Sequence, residues 1–172
     1  MQDETLVQAA HQLGLALVER SRMIATAESC TGGMIAMALT EVAGSSAWFD
    51  RGFVTYSNQA KTDLLQVPAD DIEAFGAVSE QVAVAMALGA LDSNPAASFS
   101  LSVTGIAGPG GGSLEKPVGT VVHGFAWRHR EAADRMAYRV ERCHYGGDRA
   151  AIRLATSIFA LRQALFFLQT EC

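Results

Sequence analysis

The feature that most constrains this chain is its hydrophobic period, which switches along its length between helical spacing and short strand-like runs. Leu6, Ala10, Leu13 and Leu17 recur at helical spacing. They predict an amphipathic helix of about five turns that ends near Arg20. "MIATAES" then reads as a buried strand, and "GGMIAMALTEVA" as a helix stopped by Gly44. "GFVTYSN" alternates as a strand, and "QAKTDLLQV" resumes helical character until Pro68. "GAVSEQVAVAMALGALDS" is a helix with Ser79 as N-cap and Glu80 in the first turn, where its charge suits the helix dipole.

The second half repeats the logic with a different ending. A strand, "SFSLSVTG", leads into the glycine-rich "IAGPGGGSLEKPVG". Two further strands, "TVVHGFAW" and "RMAYRVERC", are joined by the polar "RHREAAD" and read as an antiparallel hairpin or near neighbours. Asp148 caps a closing helix, "RAAIRLATSIFALRQALFFLQ". No repeat, low-complexity segment or linker interrupts the pattern, so residues 1–172 are expected to form a single domain. Strands alternating with helices, then a hairpin, predict an α/β fold: a three-layer α/β/α sandwich around a mixed, mostly parallel sheet.

Composition removes several function classes. Thirteen Lys and Arg against eighteen Asp and Glu give a net charge of −5, which argues against a nucleic-acid partner. Cys30, Cys143 and Cys172 are odd in number and contain no C-x-x-C pair. A disulfide framework and a structural zinc site are therefore not expected, and a reducing compartment is. "MQDETLVQAA" carries acids ahead of its apolar residues and does not read as a signal peptide. Apolar stretches such as "VAVAMALGAL" are short for a bilayer span, so no membrane partner and a cytoplasmic location are expected.

Ligands of such sheets sit at the carboxyl ends of the strands. Three strand ends here carry unusual chemistry: "ESCTGG", "TYSNQAK" and "TGIAGPGGG". In the first, Thr31, Gly32 and Gly33 open a helix whose first N–H groups lack internal partners and favour an anion. A capped helix with glycines for close packing explains the same residues equally well. The spacing is neither a G-x-S-x-G elbow nor a P-loop. In the second, Tyr56 and Asn58 fall on one face of the expected strand, and Lys61 lies about one helical turn past its end. Lysine is scarce in this chain, only Lys61 and Lys116 among thirteen cations. A desolvated lysine can serve as a base near neutral pH, whereas arginine keeps its proton. In the third, five glycines lie between Thr104 and Lys116, with Pro109 and Pro117 as stiffeners. Successive backbone N–H groups in such a loop form an anion nest, which favours phosphate binding over a plain connector.

His11, His123, His129 and His144 form no ligand pair, and no metal site is expected. Cys30 reads as a small buried thiol. Leu154, Ile158, Leu161 and Leu165 form a core stripe, while "ALFFL" and the "SSAWF" turn are apolar contacts that favour a homodimer.

Taken in order, "AESCTGG", "GSSAWFDRGFVTYSNQAK", "GAVSE", "TGIAGPGGG", "KPVGTV" and "GDRAAIR" resemble the CinA C-terminal domain family, close to its stand-alone nicotinamide-nucleotide amidase members. The match spans roughly residues 5 to 168. The resemblance implies deamidation of nicotinamide mononucleotide to nicotinate mononucleotide and ammonia, in pyridine nucleotide salvage, with no metal or organic cofactor. It implies that Ser29 is the nucleophile, Lys61 the neutral base and Tyr56 the group that relays or orients the proton. Amides around Thr31, Gly32 and Gly33 would hold the oxyanion. Thr104, Gly105 and the loop through Gly108, Gly111 and Gly112 would take the ribose phosphate, and Glu28 and Asn58 would position the nicotinamide or the catalytic pair. Thr31 stands as a rival nucleophile, and Arg149 is a further substrate-binding candidate, either on the phosphate or only at the helix cap. The competing reading is a non-catalytic nucleotide-binding or regulatory module linked to competence or DNA damage.

Overall fold

The structure is a computed structural model that describes residues 2–132 and 134–172. Met1 of the N-terminal stretch and Ala133 of the expected hairpin connector, both included in the readings above, lie outside them.

Helix α1 (Gln2–Glu19) is followed by strand β1 (Ile24–Glu28), helix α2 (Met34–Glu41), a 3-10 turn at Ser45–Ala47 and strand β2 (Phe49–Val54). Three helices come next: α3 (Asn58–Leu65), α4 (Ala69–Phe75) and α5 (Glu80–Asp92). Strands β3 (Phe99–Gly105), β4 (Thr120–Arg128) and β5 (Met136–His144) lead to the long helix α6 (Arg149–Thr170). The five strands form one sheet in the order β2-β1-β3-β4-β5. It is mixed, as expected, but its pairings divide evenly. β1 runs parallel to β2 and β3, while β3–β4 and β4–β5 are antiparallel. Parallel neighbours need a crossover of a dozen or more residues, usually helical. The glycine-rich connection from β3 to β4 holds no helix, so β4 returns antiparallel.

Two cores sandwich the sheet, because strand side chains alternate between its faces. Phe99, Leu101 and Val103 of β3 face α1, α2 and α6, where Leu13, Leu17, Ile35, Leu39 and Leu161 are fully buried. Each such side chain contributes about 1.5–3 kcal/mol. The opposite face of β3 is polar yet equally buried. Ser100 and Ser102 donate to the carbonyls of Ala87 and Ala83 on α5 at 2.7 and 2.6 Å. With Ala25, Ala27 and Ala126 beside them, α5 lies close against the sheet. It also packs tightly on α3: a Cβ at Gly89 would stand 2.0 Å from the Leu65 carbonyl oxygen. Only glycine allows that approach.

The caps at Ser79 and Asp148 form as expected, each side chain accepting the amide three residues on. Three expectations are corrected. β2 ends at Val54, so Tyr56 and Asn58 do not share a strand face. Ser57 accepts the amide of Ala60 at 3.0 Å and starts α3 at Asn58. Helix α4, with Asp70 and Asp71 in its first turn, fills a stretch given no element above. The apolar residues expected at a dimer contact differ in exposure. Ala164, Phe167 and Leu168 are core, Trp48 is 3% exposed, and only Phe166 projects from "ALFFL". By length and composition α6 could cross a membrane, yet here it packs in the core.

Candidate active site

β1 and β2 end level, Glu28 standing opposite Val54, and β3 runs two residues beyond Val103, which flanks Glu28 on the other side. The ladder continues one step further: Ser29 N–H donates to Val103 O and Thr55 N–H to Glu28 O. Ser29 and Thr55 therefore sit side by side on the rim. Beside them opens a cavity of about 280 Å³, lined by Ser29, Lys61, Tyr56, Asn58, Arg149 and the loop after β3.

Lys61 enters this rim from inside the fold. Capping by Ser57 sets the rotation of α3, and the Lys61 side chain runs inward until only 1% of the residue is exposed. Its Nζ lies 3.0 Å from Ser29 Oγ, 2.8 Å from Thr55 O and 3.4 Å from Tyr56 O. Among the described residues no carboxylate pairs with it. Burial lowers its pKa from the ordinary lysine value. The partner set suits the neutral amine, which has two N–H groups and one lone pair. Carbonyl oxygens can only accept, so Thr55 O and Tyr56 O take the two N–H groups. The charged amine donates to all three oxygens, Ser29 Oγ included, whereas the neutral amine can turn its lone pair to the Ser29 hydroxyl.

The turn that carries Ser29 is fixed by side chains on either side. Glu28 is 1% exposed, and its carboxylate accepts the amides of Gly33 and Ile35 through Oε2 and of Ala36 through Oε1, at 2.8–3.1 Å. That arrangement corrects the expected anion cradle at this helix start, because the first turn of α2 is already filled by the protein's own carboxylate. Glu28 itself does not reach the cavity, and neither do Gly32 or Gly33. Gly32 N–H is spent on Ser29 O. Thr31 is fully buried, lies outside the lining and makes no bond to Lys61, so Ser29 is the hydroxyl paired with the amine. From α6, Arg153 donates to the carbonyls of Cys30 (3.1 Å) and Thr31 (2.8 Å).

The loop after β3 forms the opposite wall. Thr104 donates to Ala77 O at 2.7 Å, and Gly105, Gly108 and Gly111 line the cavity, whereas Gly112 does not. Gly108 has φ +79, and a Cβ there would lie 2.5 Å from Val118 Cγ1. The loop is strapped down further along. Ser113 and Lys116 exchange hydrogen bonds, and Arg142 holds Glu115 O. Lys116 Nζ donates to Phe75 O at the end of α4, where a cation suits the helix dipole. Across the mouth, Arg149 donates to Gly108 O at 2.7 Å and to the Tyr56 hydroxyl at 3.0 Å. Tyr56 is 61% exposed, and its phenol belongs to this bridge rather than to the Ser29–Lys61 pair. The expected proton relay through that phenol is corrected: the backbone carbonyl of Tyr56 is what reaches Lys61. Asn58 opens α3 at the cavity edge.

Two buried groups nearby stay out of the chemistry. Burial pushes the Cys30 thiol up to about 11, so it keeps its proton. His123 is pushed down to about 3 by burial, with Nε2 3.0 Å from the Tyr145 hydroxyl. Sequence reasoning missed Ala77 and Val78 in the lining, and Arg153. The signal for Arg153 was its position four residues after Arg149, on the same helical face.

Known proteins similar to this chain fall in one family. The CinA C-terminal domain matches residues 6–168. The chain is 49% identical to "Nicotinamide-nucleotide amidohydrolase PncC" of Enterobacter agglomerans over 165 residues, covering 96% of each chain. It is 48% identical to the protein of the same name from Escherichia coli (strain K12), covering 94% of each. The crystal structure of the competence/damage inducible protein CihA from Agrobacterium tumefaciens superposes with a TM-score of 0.87 at 47% identity, covering 96% of each chain. A family match over nearly the whole chain and relatives of similar length and high identity lead to one conclusion: this protein belongs to the CinA C-terminal domain family.

Proposed function

We propose that this protein hydrolyses the carboxamide of nicotinamide mononucleotide to nicotinate mononucleotide and ammonia, in pyridine nucleotide salvage, through a Ser29–Lys61 dyad. The relatives from Enterobacter agglomerans and Escherichia coli named above are nicotinamide-nucleotide amidohydrolases by name. The observation that carries the mechanism is the buried Lys61 Nζ, 3.0 Å from Ser29 Oγ, with its remaining partners both carbonyls.

In the first step Ser29 Oγ attacks the carboxamide carbon while its proton passes to Lys61 Nζ. The C–N bond then breaks, and Lys61 returns the proton to the departing nitrogen, which leaves as ammonia. Water attacks the resulting ester and gives a proton to Lys61, which passes it to Ser29 Oγ as the C–O bond breaks and the acid departs. The step as written uses no metal or organic cofactor. Within the turn, the amides of Ser29, Gly32 and Gly33 are bonded to Val103 O, Ser29 O and Glu28. Thr31 is buried away from the cavity, so the amide of Cys30, which lines it, is the one placed for the oxyanion, a preorganised donor contributing about 3 kcal/mol. The glycine loop and Arg149 at the mouth suit the ribose phosphate.

An ammonia-release assay on nicotinamide mononucleotide, run with chelator, tests the reading. Ser29→Ala is expected to lose turnover by about 10³-fold or more, and Thr31→Ala to retain it. Full activity in folded Ser29→Ala would end the proposal.

A further inference from the structure

Arg153 lies one helical turn beyond Arg149, yet it faces the back of the turn that bears Ser29 rather than the cavity. Its Nε and Nη2 donate to two consecutive carbonyls, those of Cys30 and Thr31. A trans peptide unit is planar, with its N–H opposite its C=O. Pinning the Cys30 carbonyl therefore also fixes the direction of the Thr31 N–H, turned away from the guanidinium. Pinning the Thr31 carbonyl likewise fixes the Gly32 N–H, which closes the turn onto Ser29 O. Glu28 holds the far end by accepting three amides of the α2 start. The turn from Ser29 to Gly33 has little freedom left. Hydrogen bonds from a cation also polarise the peptides that receive them, which makes their N–H groups stronger donors.

We propose that Arg153 is a positioning residue for the acyl-transfer step: through the Thr31 carbonyl and the Gly32 N–H bonded to Ser29 O, it sets and polarises the Ser29–Cys30 peptide, whose N–H at the cavity receives the developing oxyanion. The inference rests on the amidase reading above. It assigns Arg153 no contact with substrate, so its loss acts on turnover and leaves substrate affinity in place. Arg149, from the same helical face, carries the opposite expectation.

The test is steady-state ammonia release from nicotinamide mononucleotide by the wild type, Arg153→Ala and Arg153→Lys. Losing one preorganised oxyanion donor costs about 10²–10³-fold in kcat, and misaiming one is expected to cost at least about tenfold. Arg153→Ala should therefore lower kcat by that factor with KM nearly unchanged. Guanidinium chloride at sub-denaturing concentration should restore part of the rate, and equal sodium chloride should not. Arg153→Lys keeps the charge but replaces two donors of a rigid planar fork by a single flexible ammonium, and should also fall in kcat. The proposal is overturned by full kcat in either folded variant. It is equally overturned by a loss that tracks the unfolded fraction and resists guanidinium. If the wild type itself releases no ammonia, the amidase reading has failed instead, and the two failures are thus told apart.

Discussion

Replacing Lys61 by methionine removes the amine while keeping most of the buried stem, and so isolates the proton acceptor. Positioned general bases contribute about 10²–10⁴-fold. Because Lys61 serves both acylation and deacylation here, the upper part of that range is expected, which corresponds to about 4–5 kcal/mol of barrier at 1.36 kcal/mol per decade. In the wild type, kcat/KM should rise with pH to a plateau as Lys61 loses its proton, with a midpoint below the ordinary lysine value. The residual rate of Lys61→Met should lack that limb. Stability should follow the same titration. The folded pKa of Lys61 is lowered, so between it and the unfolded value of 10.5 the unfolded chain binds more protons. Wild-type stability relative to Lys61→Met should therefore improve as pH rises through that window, and the difference should level off above it. Urea melts at stepped pH, alongside ammonia release, measure both quantities. An ascending limb that survives in Lys61→Met, or activity within tenfold of the wild type, would refute the assignment.

Two further outcomes follow from the same geometry. Arg149→Met should raise KM for nicotinamide mononucleotide by about tenfold or more, as expected for loss of a charge-assisted hydrogen bond worth about 1.5–3 kcal/mol, and should change KM for the unphosphorylated riboside far less. Paired KM measurements check this, and equal changes for both substrates would remove the phosphate from Arg149. Glu28→Gln leaves one amide oxygen where two carboxylate oxygens accept three N–H groups, and should cost about 1–3 kcal/mol in a urea melt.

The site was legible where its signal was local. The three strand ends that border the cavity follow from the alternation of strands and helices, and the scarcity of lysine singles out Lys61. What stayed hidden depended on details that period and composition do not carry. Capping rules look for Ser, Thr, Asp or Asn just before a helix, so a strand-terminal Glu28 reaching forward to three amides passed unnoticed. Tyr56 fitted a strand alternation that continued on paper through Ser57. In the fold, the hydroxyl of Ser57 turns the chain into α3 first. The even split of the sheet comes from the glycine-rich loop, which holds no helix to carry the chain back for a parallel pairing of β3 and β4. Lys116 was marked by rarity, but its partner, the Phe75 carbonyl, closes a helix given no element in the sequence reading.

Gly89 has a reach beyond its own contact. It lets the end of α3 rest directly on α5, and α5 is fastened to β3 by the two serine hydroxyls. Leu65, the residue it touches, lies one turn along the same helix from Lys61. A single methyl group there would wedge α3 outward and draw the amine away from Ser29. Reactivity at the rim is thus calibrated by how closely two helices can lie on the far side of the sheet.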